Sequence, residues 1–539
     1  MAETASLPDP SHGVGPSPHG GRAWARGTAI GAGWVVVGLL LAVAIGRLSQ
    51  QVQLNSDQAS SVLEGFAMGH ANLLLDNWNV PSDSFFTSKL PLLSLLEWPQ
   101  GLTPAVVSQA AGLLGAGVVL AAVWLAGGRL RGRTRAMAML VTGALLTSQT
   151  VLTPGGANTF PAGVMLPAGT DHAASLLLLL VACLALLAAR RSWAWLVVVW
   201  VALTAASAGD PLAAVVGSGA VVAAGALDLA VGRREGTRRD TVLILVGLSS
   251  ALATPVIWWT VQRLGGFTAA PLQGVGFGFP PPVSSLGGNL ALGGRSLLAV
   301  FGADIVDQPA GAAWISLLLH LVGLALVVAV LVSLLRPQRW LRLDAVSRVL
   351  ALGMLVDAAA YLLVQQTDLT SARYLLPFLG FGSVLAGREG VPWLMAHRPR
   401  LSLGLVALSA AYLAVFAAGA ATVQPASPPL AGVTAWLTEH GASYGLGAYW
   451  DANAVTVSSD GRIDVRAIGT SRDGVMPFLW HANLTWYDPA RHRATFVLLP
   501  DADTGDRAAV KQALGAPSSE TTVQGTTIMV WSKNILSAL

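Results

Sequence analysis

Long apolar runs fill most of the chain between residues 28 and 421, and they determine its predicted architecture. A helix needs about 20 mostly apolar residues to cross the hydrocarbon core of a bilayer. Two shorter apolar runs, 90–98 and 286–301, predict helices that lie along the membrane surface or re-enter the membrane. The longer runs predict eleven spans, near residues 29–48, 104–126, 136–153, 172–189, 193–209, 211–231, 241–261, 312–335, 346–365, 373–387 and 401–421. We therefore predict a polytopic all-α membrane protein with a core at 28–421.

Both ends of the chain differ from this core. Residues 422–429 are rich in proline, which is typical of a linker. From 430 to 539 charged residues are frequent and apolar runs are short, which predicts a small α/β domain outside the membrane. Its predicted elements are a helix at 430–440 and strands at 454–458, 463–468, 495–499 and 526–531. Residues 1–27 lack an apolar run and are rich in Pro, Gly, Ser and His, so they predict a disordered cytoplasmic tail.

The arginines indicate how the core is oriented. With eleven spans, every strongly basic loop falls on the side of the N-terminal Arg22 and Arg26, and positively charged loops mark the cytoplasmic side. The N-terminus is therefore predicted to be cytoplasmic. The long first loop 49–103 and the C-terminal domain are predicted to be extracytoplasmic. The basic clusters lie at 129–135, 190–191, 233–239, 336–348 and 388–400.

The composition excludes a soluble protein. Hydrophobic residues make up 53% of the chain and charged residues 11%, whereas soluble domains carry about 25% charged residues. The net charge of +4 is carried almost wholly by arginine, which we interpret as a sign of a GC-rich genome rather than of a nucleic-acid partner. The single cysteine, Cys183, excludes an intrachain disulfide.

Acidic residues of the first external loop form the first group of candidate site residues. Asp57 lies about two helical turns beyond the first predicted span, so it is either a functional carboxylate at the mouth of the protein or a solvated loop acid. Residues 57–75 predict an amphipathic helix with Asp57 and Glu64 on one face. Together they could share a cation or bracket a substrate hydroxyl, unless Glu64 is simply solvated. Trp78 could stack on a sugar ring or anchor the loop at the interface.

The second group comes from span ends on the same external side. His172 begins the fourth span, and it binds substrate or is an ordinary interfacial residue. Asp210 precedes Pro211 in the corner between the fifth and sixth spans, where it binds substrate or caps the sixth helix. Arg373 and Tyr374 begin the tenth span. Arg373 could bind a phosphate with two hydrogen bonds, or could snorkel from a helix end.

Together these features resemble the GT-C superfamily of polyprenyl-phosphate-sugar-dependent glycosyltransferases, in its bacterial, actinobacterial branch. The resemblance rests on Asp57 in a long first external loop, on the Arg373-Tyr374-Leu375 start of a late span, and on a core that ends in an external domain. It implies transfer of a hexose or pentose, with inversion, from a polyprenyl-phosphate donor to an envelope glycan, lipid or protein. Asp57 would be the general base.

The resemblance also implies roles for the other candidates. Arg373 would bind the donor phosphate, and Glu64, His172 and Asp210 would orient the sugar. Trp78 and Tyr374 complete the predicted substrate-binding set. No cofactor is predicted. A divalent metal has no support, because Asp57 lacks the paired Asp-Asp or Asp-Glu of several GT-C families.

Two other functions remain open at this stage. A transporter or flippase of envelope precursors is one, although transporters usually place charges at the bilayer midplane and often contain repeats. Here the acidic residues gather at one outer surface, and the sequence shows no internal repeat. The other is a non-catalytic assembly protein, in which loss of Asp57 would be tolerated.

Overall fold

The computed structural model describes residues 19–148, 170–231, 237–269, 286–306, 311–364, 368–471 and 474–539. Most of these residues are helical, because apolar segments can cross a bilayer only when every backbone polar group is satisfied within the segment. In chain order the described helices of ten or more residues in the membrane part are α1 His19–Ser49, α2 Ser56–Gly69, α3 Leu90–Gln100, α4 Ala105–Gly127, α5 Gly132–Ser148, α6 Thr170–Ala188, α7 Trp195–Gly209, α8 Pro211–Ala230, α9 Thr237–Arg263, α10 Leu286–Val300, α11 Ala312–Leu334, α12 Ala345–Leu363, α13 Leu369–His397 and α14 Pro399–Thr422.

Eleven of these helices correspond to the eleven predicted spans. Within the described part of the chain, eight helices have the length and apolar composition needed to cross a bilayer: α1, α4, α8, α9, α11, α12, α13 and α14. The other three predicted spans correspond to α5, α6 and α7, and residues 149–153 of the third lie outside the described ranges. The two shorter apolar runs form α3 and α10. The predicted polytopic helical fold is confirmed.

The first helix is longer than its apolar run. α1 begins at His19, so residues 19–27 of the predicted tail are helical, while residues 1–18 lie outside the described part of the chain. Extending an existing helix adds a backbone hydrogen bond for each residue fixed, so a helix can continue past the end of its apolar segment.

The helix predicted at 57–75 is shorter in the structure. α2 ends at Gly69, and Ala71, Leu75 and Asn77 then adopt positive φ angles of 71°, 55° and 63°. Asn72 stabilises this turn, since its side-chain oxygen accepts a hydrogen bond of 2.6 Å from the backbone N–H of Asp76. The apolar Leu73 and Leu74 therefore lie in a turn rather than on a helix face.

The C-terminal part forms an α/β domain, as predicted. Its helices are α15 Ala431–Glu439, α16 Tyr449–Ser458 and α17 Thr504–Leu514. Its main sheet has the order β5-β4-β3-β7-β9-β8, with β3 parallel to β4 and β7 and the other pairs antiparallel. The strands of this sheet are β3 Tyr444–Ala448, β4 Asp464–Ser471, β5 Gly474–Pro477, β7 Phe496–Pro500, β8 Ser519–Val523 and β9 Thr526–Val530.

One predicted strand is wrong, because residues 454–458 belong to helix α16. The β-branched Val455 and Val457 favour a strand in isolation. Both are fully buried, with Val455 packed under the sheet and Val457 among the apolar residues of the first loop. Tertiary packing on two sides of this segment outweighs the local preference.

A second, three-stranded sheet joins the C-terminal domain to the membrane part. β1 Trp78–Val80 of the first loop pairs in parallel with β2 Thr268–Ala269 and antiparallel with β6 Ala482–Asn483. The sheet thus holds the loop after α2, the segment after α9 and the C-terminal domain together. We call the end of the helical bundle that contacts this domain the domain face, and the other end the opposite face.

Candidate functional site

Asp57 lies in the first turn of α2, and the local sequence fixes where that helix begins. Asn55 is its N-cap. The Asn55 side chain accepts a hydrogen bond of 2.9 Å from the backbone N–H of Gln58, and the Gln58 side chain accepts one of 3.4 Å from the backbone N–H of Asn55. An acidic residue in the first turn is favoured there by the helix dipole. The Asp57 side chain is 19% exposed, so it is accessible from the domain face.

Two residues from distant parts of the chain contact the Asp57 carboxylate. The phenol of Tyr449, in the C-terminal domain, donates a hydrogen bond of 2.6 Å to Oδ1. The Nη1 atom of Arg373, at the start of α13, lies 3.7 Å from Oδ2. Burial, followed by the charge of Asp57, holds the pKa of Tyr449 well above its usual value of 10, so the phenol keeps its proton and acts as the donor.

Arg373 and Tyr374 form a pair at the domain face, as their adjacent positions suggest. The Arg373 guanidinium lies over the Tyr374 ring, 5.3 Å from its centre, and Nη2 lies 3.4 Å from the Tyr374 hydroxyl. The Arg373 side chain is 37% exposed. A guanidinium with this exposure can be reached by an anion that enters the site.

His172 and Asp210 lie together next to this pair. The Nδ1 atom of His172 is 2.8 Å from Oδ2 of Asp210, and the imidazole contacts the Tyr374 ring edge-on with centres 5.0 Å apart. The other carboxylate oxygen of Asp210 accepts from the backbone N–H of Leu212 at 3.0 Å and so caps α8. The capping alternative for Asp210 is confirmed, and the same side chain also pairs with His172. The Asp171 side chain is outside the described part of the structure.

Glu64 and Trp78 lie in the interior rather than at the mouth of the site. Glu64 is 0% exposed, and its Oε1 lies 2.7 Å from Nδ1 of His481 in the C-terminal domain, so it is not a solvated surface acid. Trp78 is 3% exposed and packs edge-on against Trp486 with ring centres 5.0 Å apart. Their substrate-binding roles stay predictions, and either would need the surrounding contacts to open.

Two further ionisable residues of the first loop were not singled out by their sequence positions. Lys89 is 1% exposed, and its ammonium donates 2.6 Å to Oγ of Ser61, one helical turn after Asp57. Its only sequence signal is rarity, since the chain contains three lysines. Burial raises the pKa of Asp83, and nearby Asp210 adds to this effect against the opposing influence of His172 and His481.

The site therefore combines a partly exposed carboxylate with a partly exposed guanidinium and a buried ammonium. It can take up a proton at Asp57 and attract an anionic group to Arg373. Within the described residues, no three His, Cys, Asp or Glu side chains are grouped closely enough to hold a metal ion.

Comparisons with known proteins add information on the fold. No family model matches this sequence, and no curated protein does. The structure is similar to that of ArnT from Cupriavidus metallidurans bound to undecaprenyl phosphate, with a TM-score of 0.53, 13% identity, and coverage of 92% of this chain and 98% of that one. It is also similar to the same protein in the apo state, with a TM-score of 0.52, 13% identity, and coverage of 94% and 99%. ArnT is a GT-C glycosyltransferase, so this chain has a GT-C-like fold.

Proposed function

We propose that this protein is an integral membrane glycosyltransferase that moves a hexose or pentose from a polyprenyl-phosphate donor to an acceptor of the cell envelope. The observation that carries the proposal is the placement of the Asp57 carboxylate 3.7 Å from the Arg373 guanidinium, on the domain face of a GT-C-like fold. The binding of undecaprenyl phosphate by ArnT supports a lipid-linked donor.

The reaction follows from these two groups. The acceptor hydroxyl attacks the anomeric carbon and gives its proton to Asp57, while the bond from that carbon to the donor phosphate breaks with inversion. The electron pair leaves with the polyprenyl phosphate, whose second pKa is ~6, so the leaving group needs little help from an acid. Arg373 binds the phosphate as its charge increases, and Lys89 adds a second positive charge nearby.

The remaining residues orient the donor. His172 and Asp210 lie beside Tyr374, within reach of a sugar whose phosphate is bound to Arg373. Tyr374 supplies a hydroxyl and an aromatic face. We assign the domain face to the extracytoplasmic side, because Arg129, Arg190 and Arg388 of the basic clusters meet at Asp344 on the opposite face, where α1 also begins. No metal takes part in this scheme.

Transfer from a polyprenyl-phosphate sugar, measured with purified protein in lipid vesicles, tests the proposal. Asp57→Asn keeps the shape of the side chain but removes the base, so we expect turnover to fall about 10²- to 10⁴-fold with donor binding retained. Near wild-type turnover of this variant would exclude Asp57 as the general base.

The same vesicles separate the two other functions. A flippase would move the intact donor across the bilayer without cleaving it, which an assay for accessible lipid head groups detects. A non-catalytic assembly protein would neither cleave nor move the donor, and it would retain its cellular role with Asp57→Asn. Either result would contradict the glycosyltransferase proposal.

A further inference from the structure

The contacts between α2 and the C-terminal domain follow one face of the helix. Four residues of α2 are involved, Ser56, Asp57, Ser60 and Glu64. Ser60 follows Ser56 by four residues and Asp57 by three, and Glu64 follows Ser60 by four, which places them on the same side. Their partners come from three residues of the domain. Ser56 bonds to the backbone carbonyl of Tyr449, Asp57 to the Tyr449 phenol, Ser60 to Asn453 at 2.8 Å, and Glu64 to His481 at 2.7 Å.

Tyr449 makes two of these contacts, with its backbone and with its side chain. Its ring is held by Phe478 and Trp450, with ring centres 5.0 Å and 5.2 Å away. A phenol fixed in this way constrains the rotation of the carboxylate to which it donates. Because Oδ1 of Asp57 is occupied by Tyr449, Oδ2 is the oxygen that faces Arg373.

We propose that Tyr449 is a positioning residue, through which the C-terminal domain sets the orientation of Asp57 and completes the active site. This inference rests on the proposed glycosyltransferase function. Tyr449 acts by holding Oδ1, so that Oδ2 receives the proton of the acceptor hydroxyl. It neither takes up a proton nor contacts the anomeric carbon.

Tyr449→Phe removes the hydroxyl and keeps the ring between Phe478 and Trp450. We expect kcat to fall about 10- to 100-fold with the KM for the donor unchanged, since a misplaced catalytic group costs rate rather than binding. Tyr487→Phe is the matched control, because Tyr487 in the same domain donates a hydrogen bond of the same length, 2.6 Å, to the carbonyl of Ala467. This control should turn over like the wild type. A normal kcat for Tyr449→Phe, or an equal fall in the control, would overturn the inference.

A double-mutant cycle separates positioning from a general structural effect. If Tyr449 acts through Asp57, then Tyr449→Phe should cause no further loss of rate in an Asp57→Asn background. If the double variant instead lost rate by the product of the two single losses, Tyr449 would act independently of Asp57, and the inference would be overturned.

Melting temperatures of the same four proteins test the contact without an activity assay. Non-additive shifts for Tyr449→Phe and Asp57→Asn would support the contact even if the wild type transferred no sugar, in which case the proposed function alone would fail. Additive shifts would show that the two side chains do not interact, and the inference would fail whatever the activity of the protein.

Discussion

The two arginines of α13 occupy very different surroundings. Arg373 stands in its first turns and Arg388 fifteen residues later, about 22 Å along the helix at 1.5 Å per residue. Arg373 is 37% exposed and lies 3.7 Å from Asp57. Arg388 is 0% exposed and lies 2.5 Å from Asp344. One helix thus carries a partly exposed arginine at the domain face and a fully buried one at the opposite face.

Arg388 and Asp344, the pair at the opposite face, both make further contacts within the bundle. Arg388 donates from Nη1 to the carbonyl of Leu125 at 2.6 Å and from Nε to Ser347 at 3.1 Å, in addition to its bond to Asp344. Asp344 also contacts Arg129 at 3.4 Å and Arg190 at 3.2 Å. Burial would raise the pKa of Asp344, but the charges of Arg388 and Arg129 and a hydrogen bond from the backbone N–H of Ser347 lower it to about 2.

The comparison shows how an acid–arginine pair that holds helices together differs from one that can bind a ligand. At the opposite face the Arg388–Asp344 contact is 2.5 Å long and both side chains are buried, so a ligand would have to break this contact in order to bind. At the domain face the ion pair is longer than a hydrogen bond and both side chains are accessible. A phosphate can therefore approach Arg373 without destabilising the fold.

The largest expected effect is on stability, at the opposite face. Asp344→Asn leaves the buried Arg388 without its carboxylate, which should cost about 3–5 kcal/mol of unfolding free energy. Thermal unfolding of the detergent-solubilised protein measures this loss. Arg131→Ala, in the same group of loops but at an exposed position, should change stability little. If the two variants melted alike, Asp344 would not be the centre of a stabilising cluster.

The next effect is on donor binding, at the domain face. Arg373→Ala should weaken donor affinity by about 2–5 kcal/mol, since the bound phosphate would lose its charged partner. Arg373→Lys keeps the charge but loses the planar guanidinium, which can donate two hydrogen bonds to one phosphate. Transfer should therefore fall markedly, but less than in Arg373→Ala. Both are measured as donor affinity and turnover in reconstituted vesicles.

A snorkelling arginine would behave differently, because lysine would replace it without loss. Equal donor affinity for wild type and Arg373→Ala would exclude the phosphate site. Neither substitution should lower the melting temperature as far as Asp344→Asn does, and a similar fall would remove the contrast between the two arginines.

A third effect concerns the carboxyl group of Glu97, which lies in α3. It is 0% exposed, and neither carboxyl oxygen has a hydrogen-bond partner among the described residues. Burial raises its pKa from 4.5 to about 9. Since the folded protein keeps a proton that the unfolded chain loses above pH 4.5, the protein should become less stable as the pH rises from 4.5 to about 9.

Glu97→Gln removes this titration and keeps the size, which matters because the side chain packs against Gly65. The variant should melt at a higher temperature than wild type at pH 8, with a flatter dependence on pH. Glu439→Gln, at an exposed position, serves as the control. An unchanged pH dependence in Glu97→Gln would mean that Glu97 is ionised in the folded protein.

The helices were predictable because the thickness of a bilayer sets the length of an apolar run, whatever the fold. Asp57, Asp210 and Arg373 were recognisable because isolated charges close to the depth of the bilayer are costly and usually face a cavity or a partner. The partners of these residues were not, since the phenol of Tyr449 meets Asp57 across 392 positions of the chain. The burial of Glu64 could not be predicted either. Its seven-residue spacing from Asp57 predicts that the two share a helix face, but it does not show what covers that face.

The smallest predicted effect concerns the Glu64–His481 pair, which ties the C-terminal domain to α2. Burial lowers the pKa of His481, but the charge and hydrogen bond of Glu64, with Asp57 and Asp83 nearby, raise it above 6.5 overall. The protonated imidazole is therefore favoured in the folded protein. Its contribution is fully present below pH 6.5 and is lost as pH rises through the higher folded pKa.

We expect the backbone amides of α16 to have lower protection factors against hydrogen exchange at alkaline pH, because the domain is then held less firmly against α2. The difference should be about 1 kcal/mol. Hydrogen exchange at pH 6 and pH 8.5, divided by the intrinsic exchange rate at each pH, measures it in a Glu97→Gln background, so that the Glu97 titration does not contribute. His481→Gln should show the lower protection at both pH values. A His481→Gln protein that kept the wild-type pH dependence would show that another group controls how the domain is held, and the two faces would then differ in exposure but not in their response to pH.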